Sequence, residues 1–237
     1  MGTPLVFGHR GASARALENT LPALAAAVED GADGVELDVR LSRDGEVVVF
    51  HDEDLARLAG RPERVADLDA AALSAVELRG GQRIPTLRQA LEVTAPLVVN
   101  IEIKPPPRRR LRETVARVRA VVERAAARER VIVSSFDLAV VALIRATTAL
   151  PTGLLLHAGQ VRPLREAWLA PLLRPHAVHP EKVLVTRDSM ARWRRRGYQV
   201  NTWTADEPDE IRRLAALGVT SIITNDPATA RAALAPR

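Results

Sequence analysis

The strongest constraint on the fold is a regular alternation of strand-like and helix-like segments along the 237 residues. Eight short apolar runs predict strands, and they span residues 5–8, 34–39, 97–104, 131–136, 152–157, 177–179, 199–204 and 221–224. Stretches with helical periodicity follow most of them, at residues 21–31, 87–95, 109–129, 137–146, 164–173, 188–196, 208–217 and 227–234. Such alternation is typical of a parallel sheet whose strands are connected by helices.

The number of repeats and the chain length together indicate a closed barrel. Eight strand–helix units in 237 residues match a (β/α)₈ TIM barrel, whose typical size is about 250 residues. A doubly wound open sheet is the alternative that the pattern allows. Residues 46–81 hold the extra strand VVVFH and the helix-like DAAALSAVELRG. We therefore predict an α/β barrel formed by a single domain over residues 1–237, with a small rim insertion after strand two.

Charged residues interrupt two of the predicted strands. Glu36 and Asp38 lie two residues apart in VELDV, and Glu102 and Lys104 lie two residues apart in NIEIK. Alternate residues of a strand face the same way, so each pair points to one side. Buried carboxylates at this spacing repel each other unless a cation compensates them, and hard divalent cations take oxygen ligands of this kind. The spacing predicts a metal site.

Other polar and aromatic residues fall at the ends of predicted strands. His9 and Arg10 follow the first strand, His51 ends the extra strand VVVFH, and Trp203 lies near the end of strand 199–204. In a TIM barrel the carboxyl ends of all strands meet at one mouth, where the reacting groups sit. Two histidines beside a metal site indicate acid–base chemistry next to a Lewis acid.

These residues carry a resemblance to a known family. The blocks HRGA, ENT, GADGVELDVRLSRDGEVVVFHD, IPTL, NIEIK, SSF and TWTADEP resemble the glycerophosphodiester phosphodiesterase family, and they cover nearly the whole chain. The resemblance implies a (β/α)₈ barrel and a metal-dependent hydrolase that converts glycerophosphodiesters into an alcohol and sn-glycerol 3-phosphate. It implies that Glu36, Asp38 and Glu102 bind one divalent cation, Mg²⁺ or Ca²⁺, since both prefer oxygen ligands.

The resemblance also assigns roles to five further residues. His9 and His51 match the catalytic histidine pair. Arg10 and Lys104 match the cations that bind the phosphate, and Trp203 matches the aromatic residue at the glycerol end of the substrate. Lys104 as a structural partner of Glu102 and Trp203 as an ordinary core residue remain alternatives at this point.

Two blocks depart from the family pattern, and several residues stay unassigned. The family often has a threonine-rich turn after the second histidine and Thr-Val-Asn after the tryptophan, whereas this chain has DLARLAG and TAD. Both changes concern the head-group preference more than the chemistry. The sequence leaves open the roles of Glu18 and Asn19, of which Asn19 equally suits a helix cap. His157 and His179 also fall at predicted strand ends.

Two rival functions belong to other classes. One is a lysophospholipase D-like enzyme that acts on lipids at a membrane surface, although the rim segment 56–83 is not clearly interfacial. The other is a barrel that binds a phosphate ligand without catalysis.

The composition limits the kinds of binding partner that we expect. The net charge of +5 suggests nucleic acid, but the arginines alternate with acids along helices and aromatic residues make up only 3% of the chain, so we expect no nucleic-acid partner. The partner that we expect is a small-molecule glycerophosphodiester. No apolar run is long enough for stable membrane insertion, and no signal peptide is apparent, so a cytoplasmic location is the expectation. The sequence does not define an oligomeric state.

Overall fold

The structure, a computed structural model, describes residues 2–235 and contains one nine-stranded sheet. Eight parallel strands close into a barrel because β1 pairs with both β2 and β9. The strands are β1 (Leu5–His9), β2 (Gly34–Leu41), β3 (Val47–Val49), β4 (Val98–Ile103), β5 (Val131–Ser135), β6 (Thr152–Leu156), β7 (Ala177–Pro180), β8 (Gln199–Thr202) and β9 (Ser221–Thr224). The predicted TIM barrel is confirmed, and the open sheet is wrong.

Helices connect successive strands around the outside of the barrel. They are α1 (Leu21–Glu29), α2 (Ala56–Ala59), α3 (Ala70–Ala75), α4 (Leu87–Val93), α5 (Leu111–Arg124), α6 (Leu138–Thr147), α7 (Arg162–Arg165), α8 (Ala170–Leu173), α9 (Arg187–Arg195), α10 (Pro208–Leu217) and α11 (Pro227–Leu234). Short 3₁₀ turns lie at Val65–Asp67, Arg79–Gly81, Arg108–Arg110, Arg128–Arg130 and Lys182–Leu184. Within residues 2–235 none of the helices has the length and apolar character that crossing a bilayer requires.

Strand alternation divides the side chains between the outer core and the barrel interior. Val35 and Leu37 of β2 and Ile101 of β4 point outward and are buried in one apolar cluster with the helices around them. Burying each such side chain stabilises the fold by roughly 1.5–3 kcal/mol. The intervening residues, Glu36 and Asn100, must then point inward. The packing of the outer core therefore fixes which polar side chains enter the barrel.

The extra strand and the insertion sit on the rim. β2 is longer than its neighbours, and its last residues pair with β3 in antiparallel register, with Val39 opposite Val49. Phe50, Leu55 and Leu73 are fully buried in a small apolar cluster of their own beside this hairpin. This cluster anchors the predicted rim insertion, which holds α2, α3 and two 3₁₀ turns.

The predicted helix over residues 109–129 is too long. A 3₁₀ turn at Arg108–Arg110 precedes α5, which ends at Arg124. Ala126 then adopts a left-handed conformation with φ of 50°, which stops the helix and turns the chain toward β5.

The predicted helix over residues 164–173 is wrong in the middle. Two four-residue helices, α7 and α8, replace it, with Ala167 between them at φ of 56°. Pro171 has no N–H to donate to the carbonyl of Ala167, so one continuous helix would lose a hydrogen bond there. The proline instead lies in the first turn of α8, where no N–H is needed.

Candidate active site

Three buried carboxylates form the centre of the barrel mouth. Glu36 and Asp38 come from β2 and Glu102 comes from β4, and Asp38 lies directly opposite Glu102 in the strand register. One oxygen from each carboxylate lies within 4.8 Å of the others. The structure thus brings together the three residues that the sequence predicts as metal ligands.

Two cations lie against these acids. The Lys104 Nζ atom is 2.8 Å from Asp38 Oδ1 and 2.6 Å from Glu102 Oε1. The Arg10 Nε atom is 3.2 Å from Asp38 Oδ2, and the Arg10 backbone N–H donates to Glu36 at 3.1 Å. Asp38 is therefore the carboxylate that both cationic side chains contact.

The unequal charge environment separates the pKa values of the three acids. Burial raises the pKa of Glu36 well above its usual value, and repulsion from Asp38 and Glu102 adds to this. Burial and the Asp38 charge raise the pKa of Glu102 to about 7. Burial would also raise the pKa of Asp38, but Lys104 and Arg10 outweigh it and hold that pKa well below its usual value. Two of the three acids thus lack enough compensating charge.

A tight turn after β1 positions Arg10 and Asp38. Arg10 has φ of 58° and Gly11 has φ of 84°, and a Cβ at Gly11 would lie 2.4 Å from the carbonyl carbon of Ala23. Only glycine fits there. The turn brings Asn19 to β2, where its Nδ2 donates to Asp38 Oδ2 at 2.8 Å.

Asn19 is therefore not the helix cap that the sequence left open. Thr20 caps α1 by accepting a hydrogen bond from the backbone N–H of Ala23. Asn19 is buried and also accepts from the Asp38 backbone N–H through its Oδ1. Asn19 thus holds Asp38 through two hydrogen bonds, one to its carboxylate and one from its backbone N–H.

A chain of hydrogen bonds from the end of β9 holds His9. Its Nδ1 lies 2.7 Å from Asn225 Oδ1, and Asn225 Nδ2 donates to Asp206 at 2.7 Å. Because the Asn225 oxygen accepts from Nδ1–H, the Nε2 of neutral His9 is left as the acceptor. Nε2 points toward the acids and is 3.9 Å from Glu36 Oε2.

A different chain of charged residues holds His51. Its Nδ1 lies 2.7 Å from Asp52 Oδ1, and Arg57 donates to the other Asp52 oxygen at 2.6 Å. Arg57 also donates to Glu18, which accepts from Arg10 at 2.7 Å. Glu18 thus connects the turn after β1 to the rim insertion. His51 has a carboxylate as its partner, whereas the partner of His9 is a neutral amide.

Burial lowers the pKa of both histidines. For His9 the neighbouring Arg10 lowers the pKa further, while the Asn225 hydrogen bond raises it. For His51 burial is again the largest cause, with Lys104 and Arg10 adding to it, while the charge of Asp38 and the hydrogen bond to Asp52 oppose it. Neutral imidazoles with a free Nε2 are suited to accept a proton.

An aromatic wall faces the acids across the cavity. The Trp203 Nε1–H donates to the His179 carbonyl at 2.8 Å, and the Trp203 ring meets Phe136 edge to face at 5.7 Å. His157 packs on the other side of Phe136, with ring centroids 5.5 Å apart. Phe136, Trp203 and Leu155 line a cavity of about 170 Å³, whose other walls include Glu36, Glu102, His9 and His51. Apolar and aromatic walls with a few polar groups are typical of a small-molecule site.

Two buried polar residues lie deeper in the barrel. Asn100 is buried at the floor of the cavity, and neither atom of its amide has a protein partner. The His179 ring is buried beneath Trp203 with its Nε2 2.9 Å from Asn201 Nδ2, and burial lowers its pKa to about 3. His179 is thus below the cavity rather than a member of its lining.

A comparison of the chain with protein-family models gives one decisive match. Residues 9–229 match the model of the glycerophosphoryl diester phosphodiesterase family. The chain belongs to this family. Its enzyme class is that of a phosphodiesterase acting on glycerophosphodiesters, which agrees with the resemblance seen in the sequence motifs.

Known members of the family agree with the match in sequence and in fold. The chain is 34% identical to a glycerophosphodiester phosphodiesterase of Caldanaerobacter subterraneus, over 95% of each chain. A crystal structure of a glycerophosphodiester phosphodiesterase from Thermotoga maritima has a TM-score of 0.78 at 33% identity, over 96% of this chain and 97% of that one. A phosphodiesterase of Oleispira antarctica, solved in complex with the product sn-glycerol-3-phosphate, has a TM-score of 0.89 at 25% identity, over 98% and 97%.

Sequence reasoning missed the residues that support this family site from the loops and from α2. They are Asp52, Arg57, Phe136, Asp206 and Asn225. A signal existed for two of them, because Phe136 ends the predicted strand 131–136 and Asn225 directly follows the predicted strand 221–224. Polar and aromatic side chains at those positions face the mouth of a barrel.

Proposed function

We propose that the cavity cleaves the phosphodiester bond between sn-glycerol 3-phosphate and an alcohol, using a divalent cation, two cationic side chains and two histidines. The observation that carries this proposal is that Glu36 and Glu102 of the acid cluster line one cavity together with His9 and His51. A barrel that only binds phosphate would not need two imidazoles held by hydrogen bonds at Nδ1.

The acid cluster fits a divalent cation. All three donors are carboxylates, the hard oxygen ligands that Mg²⁺ and Ca²⁺ prefer. The raised pKa values of Glu36 and Glu102 indicate that the protein's own cations do not fully compensate this site. Glu36, Asp38 and Glu102 would hold the ion. When bound, the ion would supply positive charge next to the phosphoryl oxygens.

Charge balance gives a second reason for the cation. Three carboxylates outnumber the two cations Arg10 and Lys104, which the acids already engage. An anionic phosphodiester would meet net negative charge at this site. A divalent ion on the acids would leave the Lys104 ammonium and the Arg10 guanidinium able to bind phosphate oxygens. Cations aimed at the phosphoryl group stabilise the charge that builds in the transition state.

The two histidines move the protons. One imidazole takes the proton of the attacking hydroxyl, and the other gives a proton to the leaving alkoxide, each contributing about 10²–10⁴-fold. Asp52 favours the protonated form of His51 more than Asn225 favours that of His9, because a carboxylate stabilises an imidazolium more strongly than a neutral amide does. We therefore assign His51 as the acid and His9 as the base of the first step.

The substrate supplies its own nucleophile in this proposal. The glycerol 2-hydroxyl loses its proton to His9 and its oxygen bonds to phosphorus, while the bond from phosphorus to the alcohol oxygen breaks. The product is a cyclic phosphate, which water opens to sn-glycerol 3-phosphate with the histidine roles reversed. An internal nucleophile has a high effective concentration. Trp203 and Phe136 would contact the glycerol end.

A substrate panel tests the proposal directly. Release of sn-glycerol 3-phosphate should occur from glycerophosphodiesters of choline, ethanolamine and glycerol, with rates within about two orders of magnitude because the head group meets only the rim. EDTA should stop the reaction, and Mg²⁺ or Ca²⁺ should restore it. Equal turnover of bis(p-nitrophenyl) phosphate, which lacks the 2-hydroxyl, would reject both the nucleophile and the substrate class.

The cellular context belongs to the same proposal. The choice between Mg²⁺ and Ca²⁺ rests on titrating each ion into the chelated enzyme. A cytoplasmic location, with a role in glycerol and lipid metabolism, stays a prediction that cell fractionation would test. The lysophospholipase D-like alternative is tested by adding an acylated substrate to the same panel.

A further inference from the structure

Large apolar side chains on the surface are concentrated in one segment. Six such residues are exposed in the described part of the chain, and five of them lie between residues 161 and 183. They are Val161, Trp168, Leu169, Leu172 and Val183, and we call them the apolar patch. Leu172 is 81% exposed and Trp168 is 51% exposed. The sixth, Leu5, begins β1 and so lies at the opposite end of the barrel.

The apolar patch begins at the mouth of the barrel. Val161 follows the carboxyl end of β6 and Val183 follows that of β7, and these two strands are neighbours. The loops after them touch, because the Ala158 N–H donates to the Glu181 carboxylate at 2.8 Å. Trp168 and Leu169 lie between α7 and α8, and Leu172 lies in α8, on the outer flank of the barrel. The patch lies on the side of the mouth away from the rim insertion.

A net positive charge accompanies the apolar patch. Residues 161–183 contain four basic and two acidic side chains. Arg162 is paired with Glu166, but Arg165, Arg174 and Lys182 form no ion pair with any residue in the described ranges 2–235. On other surfaces arginines are commonly paired, as Arg213 is with Glu210.

This combination of side chains matches a lipid interface. Exposed apolar clusters in a soluble domain mark contact sites, and arginine or lysine beside tryptophan and leucine favours anionic head groups above an acyl layer. The Arg162 guanidinium lies 6.0 Å from the centre of the Trp168 ring, so a cation and an aromatic ring already share one surface. Tryptophan is the side chain that lipid interfaces favour most.

We propose that the apolar patch docks this protein on membranes that contain anionic phospholipid. The contact is peripheral and needs no spanning segment. Val161 and Val183 lie at the rim and Leu172 lies on the flank of the barrel, so docking would place this flank against the head-group layer. The inference concerns where the protein binds, so it is independent of the chemistry proposed for the cavity.

Vesicle binding tests the proposal with the full chain. Wild-type protein should co-sediment with mixed phosphatidylcholine–phosphatidylglycerol vesicles and much less with phosphatidylcholine alone, and added salt should weaken the binding. The emission of Trp168 should shift to shorter wavelength on binding. Trp168→Phe should bind normally but lose that shift, which would assign the contact to this side chain rather than to Trp203.

Matched variants separate the apolar patch from general surface effects. Trp168→Ser combined with Leu172→Ser should weaken vesicle binding by at least about tenfold, because apolar burial supplies part of the affinity. Leu5→Ser, at the other end of the barrel, should leave vesicle binding unchanged. All these variants should hydrolyse soluble glycerophosphodiesters as the wild type does, since none lies in the cavity.

Three results would overturn the proposal. The first is no binding of wild-type protein to the mixed vesicles. The second is equal binding by the Trp168→Ser, Leu172→Ser variant. The third is concentration-dependent dimerisation that the same two substitutions abolish, which would assign the patch to a second copy of this chain. Failure of soluble turnover with vesicle binding intact would instead reject only the catalytic proposal.

Discussion

The two sides of the barrel mouth carry different kinds of side chain. On one side β1, β2 and β4 contribute the carboxylates, Arg10 and Lys104, and we call this the charged side. On the other side β5 to β9 and their loops contribute Phe136, Leu155 and Trp203, and we call this the aromatic side. The charged side is cross-linked by ion pairs to the rim insertion, whereas the aromatic side is joined by edge-to-face ring contacts.

The difference indicates that the two sides of the cavity have different roles, one in the chemical step and one in binding. Charged groups in a buried setting have large electrostatic effects on a reacting phosphate, so changes on the charged side should act mainly on the chemical step. Aromatic side chains provide apolar contact area and a fixed shape, so they bind the substrate about equally in the ground state and in the transition state. Changes on the aromatic side should therefore act mainly on binding.

The largest expected effect is removal of the metal site on the charged side. Asp38→Asn should abolish tight binding of Mg²⁺ and Ca²⁺ in calorimetry and lower kcat by about 10³-fold or more, since such an ion stabilises the transition state by several kcal/mol. Glu92→Gln, an exposed change on α4, serves as the control. Unchanged ion affinity in Asp38→Asn would remove this carboxylate from the metal site.

The next effect distinguishes the two histidines. His51→Ala should lower kcat on choline or ethanolamine diesters by about 10²-fold or more, because an alkoxide needs a proton to leave. The same variant should lose far less on the p-nitrophenyl ester of glycerol 3-phosphate, whose leaving group needs no proton. His9→Ala should lose similar amounts on both substrates. Single-substrate kinetics checks each rate, and the opposite pattern would exchange the roles of acid and base.

The charged side was predictable from the sequence for a physical reason. Glu36, Asp38 and Glu102 lie inside apolar strands, where an unpaired charge is costly and so has to be functional or compensated. The alternation of side chains along β2 and β4 also fixes that these carboxylates point into the barrel. The predicted TIM barrel followed from the count of eight strand–helix units in 237 residues, since the alternation alone also allows an open sheet.

The supporting residues were not predictable, because their contacts depend on how loops close. His9 and Asn225 are 216 positions apart and meet only because β1 and β9 complete the barrel. Asp52 lies in the loop before α2 and Arg57 lies in α2 itself, and charged residues in such a surface segment are ordinary and carry no signal. The break at Ala167 was not predictable for another reason. The helical periodicity of the sequence continues through Pro171, whereas the backbone leaves the helical conformation at Ala167.

A smaller effect concerns the stability of the aromatic side in acid. Burial lowers the pKa of His179 to about 3 in the folded protein, from an unfolded value near 6.5. Between these two values the unfolded state binds a proton that the folded state does not. The free energy of unfolding should therefore fall as the pH drops from about 6.5 toward 3, by up to about 1.4 kcal/mol per pH unit.

Urea denaturation across this pH range measures the slope. His179→Gln should flatten it while keeping a polar side chain beside Asn201. His176→Gln, at an exposed position just before β7, should flatten it less. If His179→Gln leaves the slope unchanged, another group causes the acid sensitivity.

The smallest expected effect tests whether the aromatic side acts on binding alone. Trp203→Leu removes the edge-to-face contact with Phe136 and the hydrogen bond to the His179 carbonyl. An aromatic pair contributes about 0.5–1.5 kcal/mol, so KM for glycerophosphodiesters should rise by about two- to tenfold while kcat changes little. Trp168→Leu on the outer surface should alter neither constant. A large fall in kcat with KM unchanged would place Trp203 among the groups that act in the chemical step, and the division between the two sides of the mouth would no longer hold.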